Sequence, residues 1–488
     1  MHRRRGFFLS GLFFSGICVL ASSASLHAAD VPQVSAAEPI AIKLRDAAMR
    51  GDSVAWDFVS ELTTRIGPRP AGSANEHAAA AWAAKKLKDY GFENVRVEEF
   101  PITAWNRGTE SGEIVAPSRQ PLVVNALGFA PPTPAQGVEG EVVIFGTLDD
   151  LIAAQTGSLA GKIAMVNQRM VRAQDGAGYG PVVRARALGA IEAAKRGAIA
   201  FLLRSVATDS RRLPHTGAAR FAGGKIPVPA FALSVPDADQ IERLAALGEK
   251  VRVHLFSSAS YVADAHSQNI IGEIRGGERP DEVIVLGAHM DSWDLGTGAI
   301  DDAAGTAIIA AAGKLIGDLP GKPRRTVRVV MFGSEEIPQP DEKKLGGPSY
   351  IATRTADLPK HIITGESDFG ADRVYAVALP QNSFASPFGV SLMKVLTPIG
   401  VIPSQASSKD AGSDVAPMVK AGVPSFVLLQ DGSHYFDLHH SADDTLDKID
   451  RAQLNQNVAA WVSLVYLAAQ SDADFREISA APSKPSDE

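Results

Sequence analysis

The chain has 488 residues, 45% apolar and 21% charged, with 48 Lys and Arg against 55 Asp and Glu and a single Cys. That composition excludes a disordered chain, a collagen-like repeat and a disulfide scaffold. The net charge of −7 leaves no basic excess for nucleic acid, and the length suits two or three compact units.

Arg3, Arg4 and Arg5 precede an apolar run from Phe7 to Ala21 and small residues up to Ala28 and Ala29, the order of a secretory signal peptide. Residues 1–29 are therefore read as cleaved, and the product as exported, periplasmic or secreted. The run is too short to span a bilayer, so no membrane attachment is expected after cleavage. Ile17 before Cys18 is not the small residue of a lipoprotein signal. The mature chain keeps 45 bases, 55 acids and no Cys, so it can form no disulfide and any metal site must use His and carboxylate.

Residues 30–105 read as helix and then strand. Ser73 to Glu76 has the form of a capping box, an Ala-rich run with Trp82 and Leu87 follows, and Gly91 stands where a helix C-terminus favours it. Val95 to Phe100 then alternates as a strand. Residues 106–262 change to short β-rich runs, such as Glu141 to Phe145 and Lys162 to Val166, with one helix, Ala187 to Arg196, before the apolar run Ile199 to Leu203. This stretch reads as an inserted β-rich domain.

Residues 263–472 alternate strands and helices. Apolar strands are expected at Val283 to Leu286, Val327 to Phe332, His361 to Thr364 and Ser425 to Leu429, and the plainest helix is Ala304 to Ile316. The alternation predicts an α/β fold, a mostly parallel sheet with helices on both faces. The last helix places Leu454, Val458, Trp461 and Val465 on one stripe. Residues 473–488 read as a frayed, flexible tail.

In an open α/β sheet, ligands bind beyond the carboxyl ends of the strands. Four expected strands run into acids or histidines there. These are His289-Met290-Asp291, Ser334-Glu335-Glu336, Glu366-Ser367-Asp368 and His439-His440-Ser441, with Asp301-Asp302 just before the helix that follows the first loop. Histidines and carboxylates without Cys form a ligand set that zinc accepts in hydrolytic sites. Of two consecutive carboxylates, one can bind metal while the other stays free as a base. No Gly-x-Ser-x-Gly elbow occurs, which sets aside a serine hydrolase.

His289 to Asp294, Gly298 to Gly305, Glu335-Glu336, Glu366 to Asp368 and His440 to Thr445 resemble the di-zinc exopeptidases of the bacterial aminopeptidase type, in particular their secreted, dipeptidase-like branch. The resemblance extends to Gly189 to Lys195, Arg204 to Ala207 and Pro214 to Gly217, and so covers nearly the whole mature chain. It implies the di-zinc exopeptidase fold and two Zn2+ ions bridged by Asp301. His289 and Asp368 complete one metal site, Glu336 and His440 the other. It further implies Glu335 as general base, Asp291 as the residue that orients His289, a cis Asp301-Asp302 peptide, a protease-associated identity for the insert, and a homodimer.

The implied activity is hydrolysis of dipeptides or short peptides through a metal-bridged water, with an aminopeptidase on longer peptides as the alternative and a silent receptor on the same fold as a remote one. Several positions stay open. His439 competes with His440, and Asp302 with Asp301. His434, Tyr435 and Asp414 fall near the site, and His215 is a candidate for reaching substrate or a partner subunit. Ile337 to Lys344 replaces the usual Gly-containing turn with a stiff loop, expected to be exposed near the pocket.

Overall fold

The computed structural model describes residues 36–221, 225–339, 341 and 345–480. The expected signal peptide lies outside them. Among the described residues, no helix is long and apolar enough to cross a membrane.

Apolar runs buried on both faces form the centre of a five-stranded sheet. Its order is Glu93–Asn106, Ser260–Ile274, Arg325–Phe332, Arg279–His289, His361–Glu366. Side chains alternate across it as the pleat requires. Ile270, Ile284, Leu286, Val327, Val329 and Ile363 point into one apolar cluster, shared with the helices Ala304–Gly317 and Arg451–Gln470. Ile271, Val283, Val285, Val330 and Phe332 point into another, with Tyr350 and Met418. A three-stranded sheet of Ile402–Pro403, Val374–Ala378 and Val427–Gln430 lies beside it, joined by a bridge between Thr364 and Ser425.

The expected mostly parallel sheet is in fact mixed. Only the pairs of Arg279–His289 with Arg325–Phe332 and with His361–Glu366 are parallel; Glu93–Asn106 and Ser260–Ile274 join antiparallel. Glu93–Asn106 is polar and largely exposed or half-buried, and Ser260–Ile274 is exposed from Ser260 to Asp264 and polar over its buried stretch from Ser267 to Asn269, so neither shows the unbroken apolar run that marks the central strands. They also carry the insert: Asn106 pairs with Ser260, so the chain leaves and returns at neighbouring positions.

Residues 110–257 build a second, eight-stranded sheet with its own core. Its centre, Val138–Phe145, Ile163–Val166, Ala200–Arg204 and Ala230–Leu233, is parallel, flanked by antiparallel strands. Among the described residues three helices accompany it, Leu148–Ala153, Tyr179–Lys195 and Val235–Ala246, where the sequence suggested one.

Other elements also depart from expectation. The described residues of the N-terminal part hold three helices, Glu38–Met49, Ala55–Arg65 and Ala74–Asp89. Ser73 caps the third by accepting the Glu76 amide at 3.2 Å, but Glu76 turns its carboxylate to the Gly72 amide and the Ser267 hydroxyl, so the box is half formed. Arg451–Gln470 is buried nearly all round rather than along one stripe. Its polar Gln456 and Asn457 bond the Val374 and Asp372 carbonyls at 2.7 and 2.9 Å. The tail is not frayed where described: Phe475–Ala480 is helical and Phe475 is fully buried.

Candidate active site

The parallel strands end level with one another: His289 pairs with Phe332, and Gly287 with Glu366. His289 is therefore the last residue of its strand. Glu335 and Glu336 follow the next strand after a turn in which Ser334 takes a positive φ of 59°. Asp368 lies two residues beyond Glu366, and Asp301-Asp302, joined by a cis peptide, precede the helix Ala304–Gly317. His440 enters from the far loop, also with a positive φ.

These five residues converge. His289 Nε2 lies 3.0 Å from Asp301 Oδ1 and 3.3 Å from Asp368 Oδ1. His440 Nε2 lies 2.9 Å from Glu336 Oε2 and 3.4 Å from Asp301 Oδ2. Asp301 thus turns one oxygen to each imidazole. His439 is farther, with Nε2 3.7 Å from Asp301, and its ring stacks on His440 at 3.5 Å between centroids. Asp302 faces the protein: its oxygens accept the amides of His289 and Gly305 at 3.0 Å.

The support for these groups differs in one respect from expectation. His289 Nδ1 lies 2.9 Å from the main-chain carbonyl of Asp291 but 3.7 Å from its carboxylate. The Asp291 side chain instead accepts the amides of Glu335 and Glu336 at 3.0 and 3.2 Å. It therefore holds the Glu335-Glu336 turn, while its carbonyl orients the imidazole.

Two supporting residues had no role assigned from the sequence, although one, Asp444, lies within the His440 to Thr445 stretch. Asp444 accepts the amides of Ile300 and Asp301 at 2.6 and 3.2 Å. Arg69, fully buried, donates to the carbonyls of Gly67, Met290, Thr297 and Gly298 at 2.7 to 2.9 Å. The only sequence signal for Arg69 was its place between Pro68 and Pro70.

Seven carboxylates are buried around this point: Asp291, Asp301, Asp302, Glu336, Glu366, Asp414 and Asp444. Burial disfavours so much negative charge without a counter-charge. Burial and Asp301 together push Glu336 up to about 8, and burial raises Asp368 to about 7. Burial also opposes charge on His440, yet Glu336 and Asp301 carry it up to about 9. His439, by contrast, is held well below its ordinary value by burial and by His440. Glu336 Oε1 is buried without a hydrogen-bond partner. Two imidazoles, three further carboxylates, no thiol and an orphaned buried carboxylate oxygen fit a site for hard or borderline divalent cations.

A cavity of about 460 Å³ opens over the cluster. Asp301, Glu335, Glu336, Asp368 and His440 form one side; Tyr179, Arg186, Ala218 and Arg220 from the insert form another. Glu335 accepts the Ser413 hydroxyl. The insert also fixes the histidine loop: the Thr216 amide donates to the His440 carbonyl at 2.9 Å, and His215 Nδ1 lies 2.6 Å from the His439 carbonyl. His215 is thus a buried tether, its other nitrogen 3.2 Å from Asp209, and not a group open to substrate.

Tyr435 lines the cavity, whereas His434 is exposed beside Asp437. Asp414 is buried against Glu366, to which its amide donates at 3.0 Å. The loop after Glu336 is less exposed than expected where described. Ile337 and Gln339 are buried, and Gln339 exchanges two hydrogen bonds with the Thr103 backbone at 2.8 and 3.0 Å.

Residues 269–465 match the family described as peptidase family M28. Carboxypeptidase Q of Mus musculus is 33% identical over 417 residues, 86% of each chain. The crystal structure of a peptidase M28 precursor from Shewanella amazonensis SB2B superposes with a TM-score of 0.86 at 41% identity, covering 90% of this chain and 98% of that one. BSAP, a zinc aminopeptidase from Bacillus subtilis, shares the fold with a TM-score of 0.59 at 20% identity, over 85% and 94% of the two chains.

Proposed function

The chain belongs to peptidase family M28 and is a metallo-exopeptidase, and from that premise we propose that it hydrolyses dipeptides or short peptides with two zinc ions. His289 and Asp368 would hold one ion, Glu336 and His440 the other, and Asp301 both. The observation that carries this reading is the splayed Asp301 carboxylate, with Oδ1 3.0 Å from one imidazole and Oδ2 3.4 Å from the other. The likeness to a protein described as a zinc aminopeptidase supports the choice of metal. When bound, such ions lower the pKa of water and polarise a carbonyl oxygen.

The chain's own groups do the rest. Glu335 lines the cavity next to Glu336 but accepts from Ser413 rather than facing either imidazole, which leaves it free to take a proton from the attacking water and pass it to the leaving amine. The Asp291 carboxylate keeps the Glu335 backbone in place, and Asp444 keeps that of Asp301. We read 106–262 as a protease-associated domain that walls the cavity, and 1–29 as an export signal removed from the mature enzyme.

Metal analysis with a panel of dipeptides, tripeptides and end-blocked dipeptides tests this. Wild-type protein should carry two zinc ions per chain and prefer dipeptides. E335Q should keep its metal and fold, with kcat lowered by about 10²- to 10⁴-fold. Unimpaired turnover in E335Q removes Glu335 as the base, and a preference for long peptides favours an aminopeptidase.

A further inference from the structure

A second cavity, of about 610 Å³, adjoins the first and is built without the insert. Glu335 and Leu345 line both, so the two spaces meet at the candidate base. Ser413, whose hydroxyl donates to Glu335, also lines the second.

The walls of this groove are the short helices Gly346–Ala352 and Ala416–Lys420. They contribute Pro348, Ile351, Ala416 and Pro417, and Leu345 and Ala421 continue the apolar lining at their ends. Gly347 lets the two segments approach, since a Cβ there would run into the Asp414 carbonyl. Leu345 directly follows the Ile337 to Lys344 stretch, in which the chain departs from the di-zinc exopeptidase pattern, so that departure ends at the junction of the two cavities.

A base that passes a proton to the leaving amine stands beside that nitrogen, and the space beyond Glu335 is therefore on the leaving-group side. For a dipeptide, the C-terminal residue lies there, with a carboxylate and a side chain to place. Glu335 and the buried Asp414 repel the carboxylate, and the one cation among the described lining residues, Lys420, is exposed. The apolar walls favour the side chain, which gains by leaving water.

We propose that this groove receives the side chain of the substrate's C-terminal residue and selects large apolar ones, leucine and phenylalanine above glycine. This rests on the peptidase reading above and deepens it by naming a substrate class, dipeptides that end in a bulky apolar residue. Leu345 and Ala416 are then specificity-determining residues, the first at the mouth of the groove and the second on its wall.

The test measures zinc-loaded wild-type, A416W and L345S proteins on alanyl-glycine, alanyl-leucine, alanyl-phenylalanine and alanyl-glutamic acid. Leucyl-glycine is the control for the N-terminal residue. In wild type, kcat/KM for alanyl-leucine and alanyl-phenylalanine should exceed that for alanyl-glycine by about 10- to 100-fold. A416W fills the groove from an exposed position and should lower that ratio by about tenfold or more, with the ratio of leucyl-glycine to alanyl-glycine as in wild type. L345S removes part of the apolar wall and should lower the alanyl-leucine ratio by about 3- to 10-fold. Leu345 holds the N-cap position of Gly346–Ala352, which Ser suits, so the fold should persist.

An unchanged alanyl-leucine ratio in A416W overturns the proposal; if circular dichroism shows A416W unfolded, L345S decides in its place. An equal loss on leucyl-glycine and alanyl-leucine overturns it too, because that marks obstruction of the whole site. So does a wild-type protein that cleaves alanyl-glycine as fast as alanyl-leucine, or one that prefers alanyl-glutamic acid, which would give Lys420 the leading part. If wild-type protein cleaves none of these peptides, the peptidase reading fails and takes this one with it; cleavage without the apolar preference fails this proposal alone.

Discussion

Removing metal with a chelator should make the protein less stable as pH rises from 5 to 8, while the zinc-loaded protein should not show that decline. In the metal-free site Asp368 keeps its proton up to about 7 and Glu336 up to about 8. In the unfolded chain such groups ionise near ~4. Between those values the folded state binds more protons than the unfolded state, so raising the pH costs stability. At about 1.4 kcal/mol per pH unit, Asp368 alone corresponds to about 4 kcal/mol lost by pH 7.

His440 acts in the same direction. It stays protonated up to about 9, whereas an unfolded His releases its proton near ~6.5, so its contribution is present below that value and disappears as the pH climbs through 9. His361, which burial pulls down to about 4, opposes this trend below ~6.5. It lies outside the cluster and cancels when loaded and stripped proteins are compared at one pH. Metal ligation replaces the protons on the site, so the gap between loaded and stripped protein should widen with pH. Urea denaturation with and without chelator at pH 5, 6, 7 and 8 measures that gap. A gap that is flat or narrows towards pH 8 refutes the reasoning.

Arg69→Ala removes a buried cation that joins four carbonyls and should destabilise the protein by about 3–5 kcal/mol in denaturant titrations, with Arg69→Lys recovering only part. Gly305→Ala would bring a Cβ to 1.9 Å from the Ser367 carbonyl and 2.3 Å from Asp302, so despite the better helix propensity of Ala it should cost about 1–3 kcal/mol and lower zinc content by metal analysis. His215→Ala frees the His439 carbonyl and should leave the fold intact while weakening zinc about tenfold or more in competition with a chromophoric chelator.

The strand ends that carry His289, Glu336 and Asp368 were legible in the sequence because fully buried parallel strands announce themselves as short apolar runs, whereas the choice of Asp301 over Asp302 and of His440 over His439 came from the resemblance to the di-zinc exopeptidases. Glu93–Asn106 was read as a strand only over Val95 to Phe100, and Ser260–Ile274 went unread, for the converse reason. Their exposed, polar stretches stand out from the sheet to hold the insert, and the mixed character of the sheet went unseen with them. The Asp291 carboxylate illustrates a different limit. Spacing placed it next to His289, but whether carbonyl or carboxylate meets the imidazole depends on how the Glu335-Glu336 turn offers its amides. Arg69 lies some 220 positions from the loops it joins, and no local pattern marks a cation destined for distant carbonyls.

The loop bearing His440 is pinned by Thr216 and His215, while its neighbour in the cluster, Asp301, belongs to the other sheet's territory. The cluster is therefore completed only where the insert meets the first sheet: without Thr216 and His215 the backbone that presents His440 loses two of its anchors, and a chain cut before residue 440 lacks the fifth side chain of the group.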